Sequence, residues 1–323
     1  MFIKTLSIKI IAFIITLFTL ISVGQNKNDK YDVYSPGTCK LNFSILSDSH
    51  IEGNNFSRYK VFAKSLQNVK KNISGNDAIV FLGDNTMNGH HMENMLFHGT
   101  VSMLLKCETI IPVMGNHDIG NGNGDYLKLQ NRWYDYTKIF FEKDLKHPYY
   151  YEIIDGYYFI ILGMESHEVH NMLISNEQFE WLEKILSLSK ESNKPVFVFS
   201  HFPANYAVNE NREHTNLLTK MLADYNKEYD IFSFVGHTHR NLNLNWSFNL
   251  RDGYPEIYLP RLTELTGEND NKIFEKSGIG IEVEIYENNV YVRGRNFYTG
   301  EWEFDSYNND PCEKEYILKN KAV

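Results

Sequence analysis

The sequence predicts an α/β fold in which two packed mixed β-sheets are flanked by helices, a four-layer α/β/β/α arrangement in one domain. Three observations support this. From residue 40 short apolar runs alternate with amphipathic stretches, which is the rhythm of strand–helix–strand units with right-handed crossovers. After residue 240 the pattern becomes rich in predicted strands. The 323 residues include 21 Tyr and 21 Phe, enough to build a large core.

The first half of the domain alternates predicted strands and helices. Apolar runs predict strands at residues 41–46, 78–82 and 110–114, and amphipathic patterns predict helices at 56–71, 92–106 and 126–141. The dipeptide Asp155-Gly156 separates two further apolar runs, 149–154 and 157–162. Asp-Gly between apolar runs is a strong hairpin signal, so we expect these two runs to pair in an antiparallel manner.

The second half begins with a helix signal. Ser175-Asn176-Glu177-Gln178 matches a capping box and opens a helix predicted to reach about Ser187. A strand at 195–200, a helix at 215–225 and strands at 231–235, 256–259, 280–286 and 290–296 follow, with a turn at 287–289. The polar stretch from about residue 308 is predicted to be a loose tail.

Residues 1–24 differ from the rest of the chain. Lys4 and Lys9 precede an uncharged apolar run from residue 10 to 23, and small residues end it. This pattern predicts a signal peptide followed by a single domain at 25–323, and hence a secreted or extracytoplasmic protein. The alternative is a membrane anchor, although a spanning helix needs about 20 apolar residues. No cysteine follows the run, which argues against a lipoprotein anchor.

The charge balance bears on possible partners. The formal net charge is −9, and removal of Lys4 and Lys9 with residues 1–24 takes it to −11. A general nucleic-acid binder needs a basic surface, so none is expected here. A small anionic substrate stays possible where metal ions supply local positive charge.

Three cysteines follow residue 24. Cys107 lies between apolar residues and is expected to be buried and free. Cys39 and Cys312 lie near the two ends of the chain and could form a disulfide. The odd number of cysteines makes this pairing the weaker alternative.

Polar side chains are concentrated where predicted strands end. Ligands of open α/β sheets bind outside the carboxyl ends of the strands, so these groups should meet at one rim. Asp48 and His50 are two residues apart and point the same way in an extended chain, as do His237 and His239. The five groups are Asp48-Ser49-His50, Gly83-Asp84-Asn85, Gly115-Asn116-His117-Asp118, Ser200-His201 and Gly236-His237-Thr238-His239.

Together these groups indicate a metal centre. Each group alone also has an ordinary explanation, such as a turn, a cap or a satisfied polar residue, but all five follow apolar strands in order. One ion would use three or four ligands, whereas seven ligands suit two ions that share a carboxylate. Imidazole and carboxylate ligands fit Mn, Fe or Zn. The seven candidates are Asp48, His50, Asp84, Asn116, His201, His237 and His239. Two adjacent ions can bind a phosphoryl oxygen and activate a water.

In this order the groups match the pattern Asp-x-His, Gly-Asp, Gly-Asn-His-(Asp/Glu), His and Gly-His-x-His, and the chain resembles the calcineurin-like metallophosphoesterases. The resemblance covers roughly residues 40–300, because the stretch ending in Arg293-Gly294-Arg295-Asn296 is similar to the closing strands of bacterial exported members. It implies the metallophosphoesterase sandwich and a binuclear metal-dependent phosphoesterase. It leaves the choice between phosphate mono- and diesters open.

The resemblance also implies a role for each residue. A bridging water or hydroxide would attack phosphorus, Asp84 would bridge the two ions, and His117 would stabilise the transition state or protonate the leaving oxygen. Asp118, the second catalytic candidate, would orient His117 or fix the loop. By this carry-over one metal is held by Asp48, His50 and His239, and the other by Asn116, His201 and His237.

The chain departs from two branches of the superfamily. Protein Ser/Thr phosphatases carry Gly-Asp-x-Val-Asp-Arg-Gly, but residues 83–89 lack the second Asp and the Arg. Purple acid phosphatases place a Tyr where Met87 stands here. The sequence thus predicts an exported phosphohydrolase acting on a small anionic phosphate ester. A non-catalytic surface or binding protein and a nuclease are the alternatives; the full ligand set argues against the first and the acidic balance against the second.

Other polar residues near these motifs have less defined predictions. His90, His91 and His98 could line the substrate pocket, or be surface and helix-face histidines, which we favour. The glycine-rich stretch with Asn121 and Asn123 could contact a leaving group or be only a turn. His167 and His170 could lie near the rim.

Overall fold

The computed structural model describes residues 34–319, except 73–75, 106–108, 249, 264, 267–271, 274–276 and 306. The predicted signal peptide at 1–24 and Cys107 lie outside the described residues. Within the described part of the chain, no helix has the length and apolar character needed to cross a membrane.

The helices lie close to their predicted positions. Their bounds are α1 Phe56–Asn72, α2 His91–Leu104, α3 Tyr126–Phe141, α4 Asn176–Ser189, α5 Leu217–Asn226 and the short α6 Leu244–Ser247. Ser175 caps α4 as predicted, since its Oγ accepts the Gln178 backbone N–H at 3.1 Å. The Gln178 side chain does not close the box but bonds the backbone of Gly163 instead.

The strands also follow the apolar runs. In the first half they are β1 Leu41–Leu46, β2 Ala78–Leu82, β3 Thr109–Val113, β4 Tyr150–Ile154, β5 Tyr157–Leu162, β6 Met172–Leu173, β7 Val196–Ser200, β8 Ala207–Val208 and β9 Ile231–Val235. In the second half they are β10 Leu250–Arg251, β11 Tyr254–Tyr258, β12 Leu265–Thr266, β13 Lys272–Ile273, β14 Ile279–Ile285, β15 Asn289–Asn296, β16 Glu301–Trp302 and β17 Glu313–Ile317.

Two mixed sheets form the centre of the domain, as predicted. The first has the order β16-β15-β14-β1-β2-β3, in which β1, β2 and β3 are parallel and β14 is antiparallel to β1. The second has the order β10-β11-β9-β7-β5-β4, in which β5, β7, β9 and β11 are parallel. Parallel strands covered on both faces read as continuous apolar runs, which is why their positions were predictable.

An aromatic core joins the two sheets. The ring of Phe43 on β1 lies edge-on to Phe159 on β5 and Phe197 on β7, with centroids 4.9 and 5.0 Å apart. On the outer face of the first sheet, Phe62 of α1 and Phe97 of α2 pack together. The helices α4 and α5 cover the second sheet with side chains such as Leu182 and Leu222. The result is the predicted α/β/β/α order of layers.

The prediction of a loose tail from about residue 308 is wrong for the residues described. Residues 313–317 form β17, which pairs antiparallel with β15, and Cys312 before it is buried. The segment looks polar because an edge strand exposes most of its side chains. Tyr316 alone turns inward, with its ring 5.3 Å from that of Phe232.

The suggested disulfide is not formed. Cys39 and Cys312 are both free thiols. The Sγ of Cys39 donates to the carbonyl oxygen of Leu41 at 3.3 Å. Cys312 packs in the core that joins the sheets.

Candidate metal centre

The predicted ligands follow strands of both sheets. Asp48 and His50 come after β1, Asp84 after β2 and Asn116 after β3, all in the first sheet. His201 follows β7, and His237 and His239 follow β9, in the second sheet. The centre therefore lies where the carboxyl edges of the two sheets meet.

The first ligand group contains Asp48, His50, Asp84 and His239. One ligand atom from each lies within 4.8 Å of all the others. Nε2 of His239 is 2.8 Å from Oδ1 of Asp48, and Nε2 of His50 is 3.5 Å from Oδ2 of Asp84. Two carboxylates and two imidazoles at this spacing can hold a divalent cation.

The second ligand group contains Asp84, His201 and His237, again within 4.8 Å of one another. Because Asp84 belongs to both groups, its carboxylate is placed to bridge two ions. Nδ1 of His201 donates to the carbonyl oxygen of Leu82 at 3.0 Å, which directs its Nε2 toward Asp84 Oδ2, 3.2 Å away. Such a bond from the second ring nitrogen is the usual way in which a metal-binding histidine is oriented.

Asn116 is the seventh candidate ligand. Its Nδ2 donates to Oδ1 of Asn121 at 2.9 Å, while its buried Oδ1 has no hydrogen-bond partner. Burying a polar atom without a partner is costly, and a cation at the centre would satisfy this oxygen. The donor set therefore fits the two metal ions that the sequence predicts.

Five of the seven candidate ligands have a left-handed backbone. The φ angles are 53° at Asp48, 41° at His50, 48° at Asp84, 63° at His237 and 52° at His239. Such non-glycine residues cost on the order of 1–3 kcal/mol each and collect at functional sites. The expectation that ligands two apart would share one side of an extended chain is thus wrong, because each pair instead lies in a tight turn after its strand.

Two glycines let the ligand loops approach one another. A Cβ at Gly115 would lie 2.3 Å from both the backbone nitrogen and Oδ1 of Asp84. A Cβ at Gly236 would lie 2.4 Å from Ser47 Oγ. Any larger residue would have to push the loops apart, so these glycines set the spacing of the centre.

Burial and mutual charge set the protonation states of the ligands. Burial opposes ionisation of Asp84, but the imidazoles, that of His201 first, hold the pKa of its carboxyl below the ordinary range. Burial lowers the pKa of His50 to about 3 and that of His237 to about 4. Burial also acts on His201, yet the charge of Asp84 raises its pKa to about 9. His50, His237 and Asp84 are thus in the neutral-imidazole and ionised-carboxylate forms that bind metal, whereas His201 would have to release a proton when a metal binds.

His117 lies beside the ligands but belongs to neither group of potential ligands. Its ring centroid is 4.5 Å from that of His50, and its backbone N–H donates to Oδ1 of Asp84 at 2.8 Å. Its Nδ1 lies 2.7 Å from the carbonyl oxygen of Met87. The carbonyl can only accept, so Nδ1 carries the hydrogen and Nε2 is left for the substrate.

Asp118 supports the loops and does not contact His117. Its buried carboxylate accepts the backbone N–H groups of Gly115 at 2.9 Å, Thr86 at 2.8 Å and Asn85 at 3.2 Å. Burial, and then the charge of Asp84, raise its pKa to about 7. Of the two roles considered for Asp118, these bonds match loop fixation, and its place among the catalytic candidates stays a prediction.

The additional histidines lie outside the two ligand groups. His98 is buried among aromatic rings of α2 and α3, and its Nδ1 donates to the Asn94 carbonyl at 2.9 Å. His90 caps α2 and is exposed. His91 lies beside Tyr136, with ring centroids 6.0 Å apart, and His170 is exposed. The favoured prediction, helix-face and surface histidines, agrees with these positions.

Sequence reasoning missed three contributors. Ser47 Oγ donates to Asp48 Oδ2 at 2.5 Å, and the ring of Phe202 packs on His237 with centroids 4.1 Å apart. The third is the Met87 carbonyl. Ser47 and Phe202 are next to candidate ligands in the sequence, so their positions could have identified them. A backbone carbonyl, in contrast, cannot be recognised from the type of residue that carries it.

Comparison with known proteins gives consistent matches. The sequence profile described as calcineurin-like phosphoesterase matches residues 41–241. A probable glycerophosphodiester phosphodiesterase of Arcobacter nitrofigilis is 31% identical over 214 residues, covering 62% of this chain and 73% of the relative. A cyclic GMP-AMP phosphodiesterase of Homo sapiens is 34% identical over 71 residues, which are 20% of this chain and 15% of that protein.

Solved structures share the fold. A dimetal phosphatase from Danio rerio superposes with a TM-score of 0.54 at 16% identity, covering 80% of this chain and 97% of that one. A purple acid phosphatase from yellow lupin (Lupinus luteus) seeds has a TM-score of 0.58 at 15% identity, covering 83% of this chain and 54% of that one. At these identities the likeness concerns the fold alone.

Proposed function

The chain belongs to the calcineurin-like phosphoesterase family, and from that premise we propose that it is an exported hydrolase that cleaves phosphodiesters at a two-metal site. The observation that carries the proposal is the position of Asp84, whose carboxylate is common to both ligand groups. When bound, the two ions would polarise a phosphoryl oxygen and lower the pKa of the attacking water.

The protein's own residues supply the remaining functions. The second-sheet ligand His201 is held by the Leu82 carbonyl and the first-sheet ligand Asp84 by the His117 amide, so the ligand geometry is preorganised. With Nδ1–H bound to the Met87 carbonyl, Nε2 of His117 faces the substrate; when the ring carries both protons, Nε2 can donate a hydrogen bond to a phosphoryl oxygen or a proton to the leaving oxygen. Asp118 keeps the loops that carry Asp84 and His117 in register.

The preference for diesters is supported by relatives. Both matched relatives are named as phosphodiesterases. Met87 also replaces the second acidic residue of the protein Ser/Thr phosphatases. Export is supported by the basic and apolar pattern of residues 1–24.

The decisive experiment combines metal analysis with two generic substrates. The purified protein should contain about two metal ions per chain and hydrolyse bis(p-nitrophenyl) phosphate faster than p-nitrophenyl phosphate. EDTA should abolish both rates, and Mn²⁺, Fe²⁺ or Zn²⁺ should restore them. Asp84→Asn should lower metal content and rate together. A metal-loaded protein that hydrolyses neither ester would overturn the proposal in favour of a binding protein.

Export needs its own test. When the full chain is produced in a bacterial host, mass spectrometry of the purified protein should show that residues 1–24 are absent, and the protein should be found outside the cytoplasm. An intact chain recovered with the membrane fraction would instead support the anchor.

A further inference from the structure

A cavity opens beside the metal centre. It has a volume of about 680 Å³, and the ligand His239 forms part of its wall. The other walls are the segment that follows His239, the short helix α6 and Tyr307. A substrate whose phosphorus lies at the centre can therefore extend one of its ester groups into this cavity.

Arg240 is the charged group of the cavity. It follows His239 directly, and its guanidinium lies 4.5 Å from the centroid of the Trp246 ring. Tyr258 packs on Trp246 in turn, with centroids 4.5 Å apart. Stacking on an aromatic face holds an arginine in place without neutralising it. The side chain is thus held in position while it stays exposed.

No acidic group offsets this charge. Among the described residues, no carboxylate forms an ion pair with Arg240, and neither Asp nor Glu lines the cavity. The lining is otherwise amides, hydroxyl and apolar groups, including Asn241 and Tyr307. In a chain with a net charge of −9, a cavity lined by an arginine and, among the described residues, by no carboxylate favours anions.

The walls of the cavity are held together by a buried side chain. The carboxylate of Asp305, which is 1% exposed, accepts the backbone N–H of Leu244 at 2.9 Å and that of Tyr307 at 2.8 Å. One buried side chain therefore joins the two opposite walls. Preformed walls lower the cost of ordering a site when a ligand binds.

We propose that this cavity binds a second phosphate group of the substrate, so that the preferred diester carries a further phosphate on one of its flanks. This rests on the proposed function. A guanidinium offers five donors in a planar fork that suits phosphate oxygens. The amide of Asn241 and the hydroxyl of Tyr307 add donors for a group with three terminal oxygens. Arg240 directly follows the ligand His239 in the chain, and both residues line the same cavity.

A matched pair of chromogenic esters tests the proposal. Thymidine 5′-(p-nitrophenyl phosphate) and the same ester with a 3′-phosphate differ only in the second phosphate. The protein should show a kcat/KM about 10-fold or more higher for the ester with the 3′-phosphate, the size expected for charge-assisted hydrogen bonds. In Arg240→Gln the ratio of the two kcat/KM values should fall to about 1. In Arg240→Lys it should lie between that value and the ratio of the parent protein. Lys184→Gln, which removes one exposed charge on α4, should keep the parent ratio.

The test separates this inference from the proposed function. The subsite alone would be overturned if the parent protein released p-nitrophenolate from both esters in a metal-dependent manner with equal kcat/KM. It would also be overturned if Arg240→Gln kept the parent's preference for the ester with the 3′-phosphate. If neither ester is hydrolysed, the proposed function fails. The subsite is then decided by calorimetry, in which thymidine 3′,5′-bisphosphate should bind about 10-fold tighter than thymidine 5′-monophosphate. Equal affinities would overturn it.

Discussion

The Nδ1 of His117 lies 2.7 Å from the backbone carbonyl oxygen of Met87. The bond orients the imidazole by a group that stays neutral at every pH. It also makes the orientation independent of the residue 87 side chain, at a position where the protein Ser/Thr phosphatases carry an aspartate.

This relationship predicts different results for its two partners. His117→Ala should lower kcat about 10²–10⁴-fold, because a positioned acid or hydrogen-bond donor is lost, while the metal content stays that of the parent. Met87→Leu should keep most of the rate, since the carbonyl remains. Steady-state kinetics with elemental analysis tests both. Loss of metal from His117→Ala would show that His117 is a ligand.

Gly115 predicts a steric effect on the metal centre. In Gly115→Ala the new Cβ would meet Asp84 at 2.3 Å, so the loops must separate at a cost of about 1–3 kcal/mol, and bound metal should fall below that of the parent. Gly53→Ala is the control, because its Cβ would find only Met92 at 3.4 Å. Metal analysis and urea unfolding measure the two effects. Equal behaviour of the two variants would contradict the steric account.

Asp118 predicts a large effect on stability. Asp118→Ala leaves the amides of Gly115, Thr86 and Asn85 without their acceptor, so the free energy of unfolding should fall by about 2–5 kcal/mol. Asp125→Ala is the comparison, since that exposed residue only caps α3 and should cost about 1 kcal/mol. Urea unfolding at neutral pH gives both values. A loss at Asp118 no larger than at Asp125 would refute its role in fixing the loops.

The buried side chain of His98 should make the free energy of unfolding of the protein depend on pH. Burial lowers its pKa to about 3, whereas in the unfolded chain it titrates near 6.5. The unfolded state therefore binds more protons, and the free energy of unfolding falls as the pH drops from about 6.5 toward 3. Between pH 7 and pH 5 this one residue should account for a loss of about 2 kcal/mol.

Two variants isolate this effect. In His98→Gln the decline in the free energy of unfolding between pH 7 and pH 5 should be smaller than in the parent by about 2 kcal/mol. His170→Gln removes an exposed histidine and should keep the parent decline. Parallel stability curves for His98→Gln and the parent would exclude His98 as the source.

The sequence predicted most of the architecture because the strands that carry the candidate ligands are buried parallel strands. The run that became β2 is apolar throughout, those that became β1 and β9 are mostly apolar, and each stops just before a group of candidate ligands. β17 was not predicted because only Tyr316 of this edge strand points into the core. Its polar side chains gave no period that distinguishes a strand from a loop.

The details of the centre were less accessible for physical reasons. The left-handed turns at Asp48 and His50 are accompanied by backbone bonds to the loop after β2, such as His50 N–H to the Asp84 carbonyl at 2.8 Å. The carbonyl of Met87 and the cavity between Arg240 and Tyr307 exist only once distant segments have packed. Residue types alone therefore predicted which side chains meet at the candidate centre but not what holds them in place.

The order of the strands also governs when this centre can arise during synthesis. β1, which carries Asp48 and His50, is paired on one side with β14 at residues 279–285, whereas every candidate ligand has been made by residue 239. A nascent chain synthesised as far as His239 thus contains all seven candidate ligands, but β1 still lacks its partner strand β14 on one edge. The first sheet is therefore completed only by strands made after all the candidate ligands, so a chain that stopped before residue 279 would carry the full ligand set on an incomplete sheet.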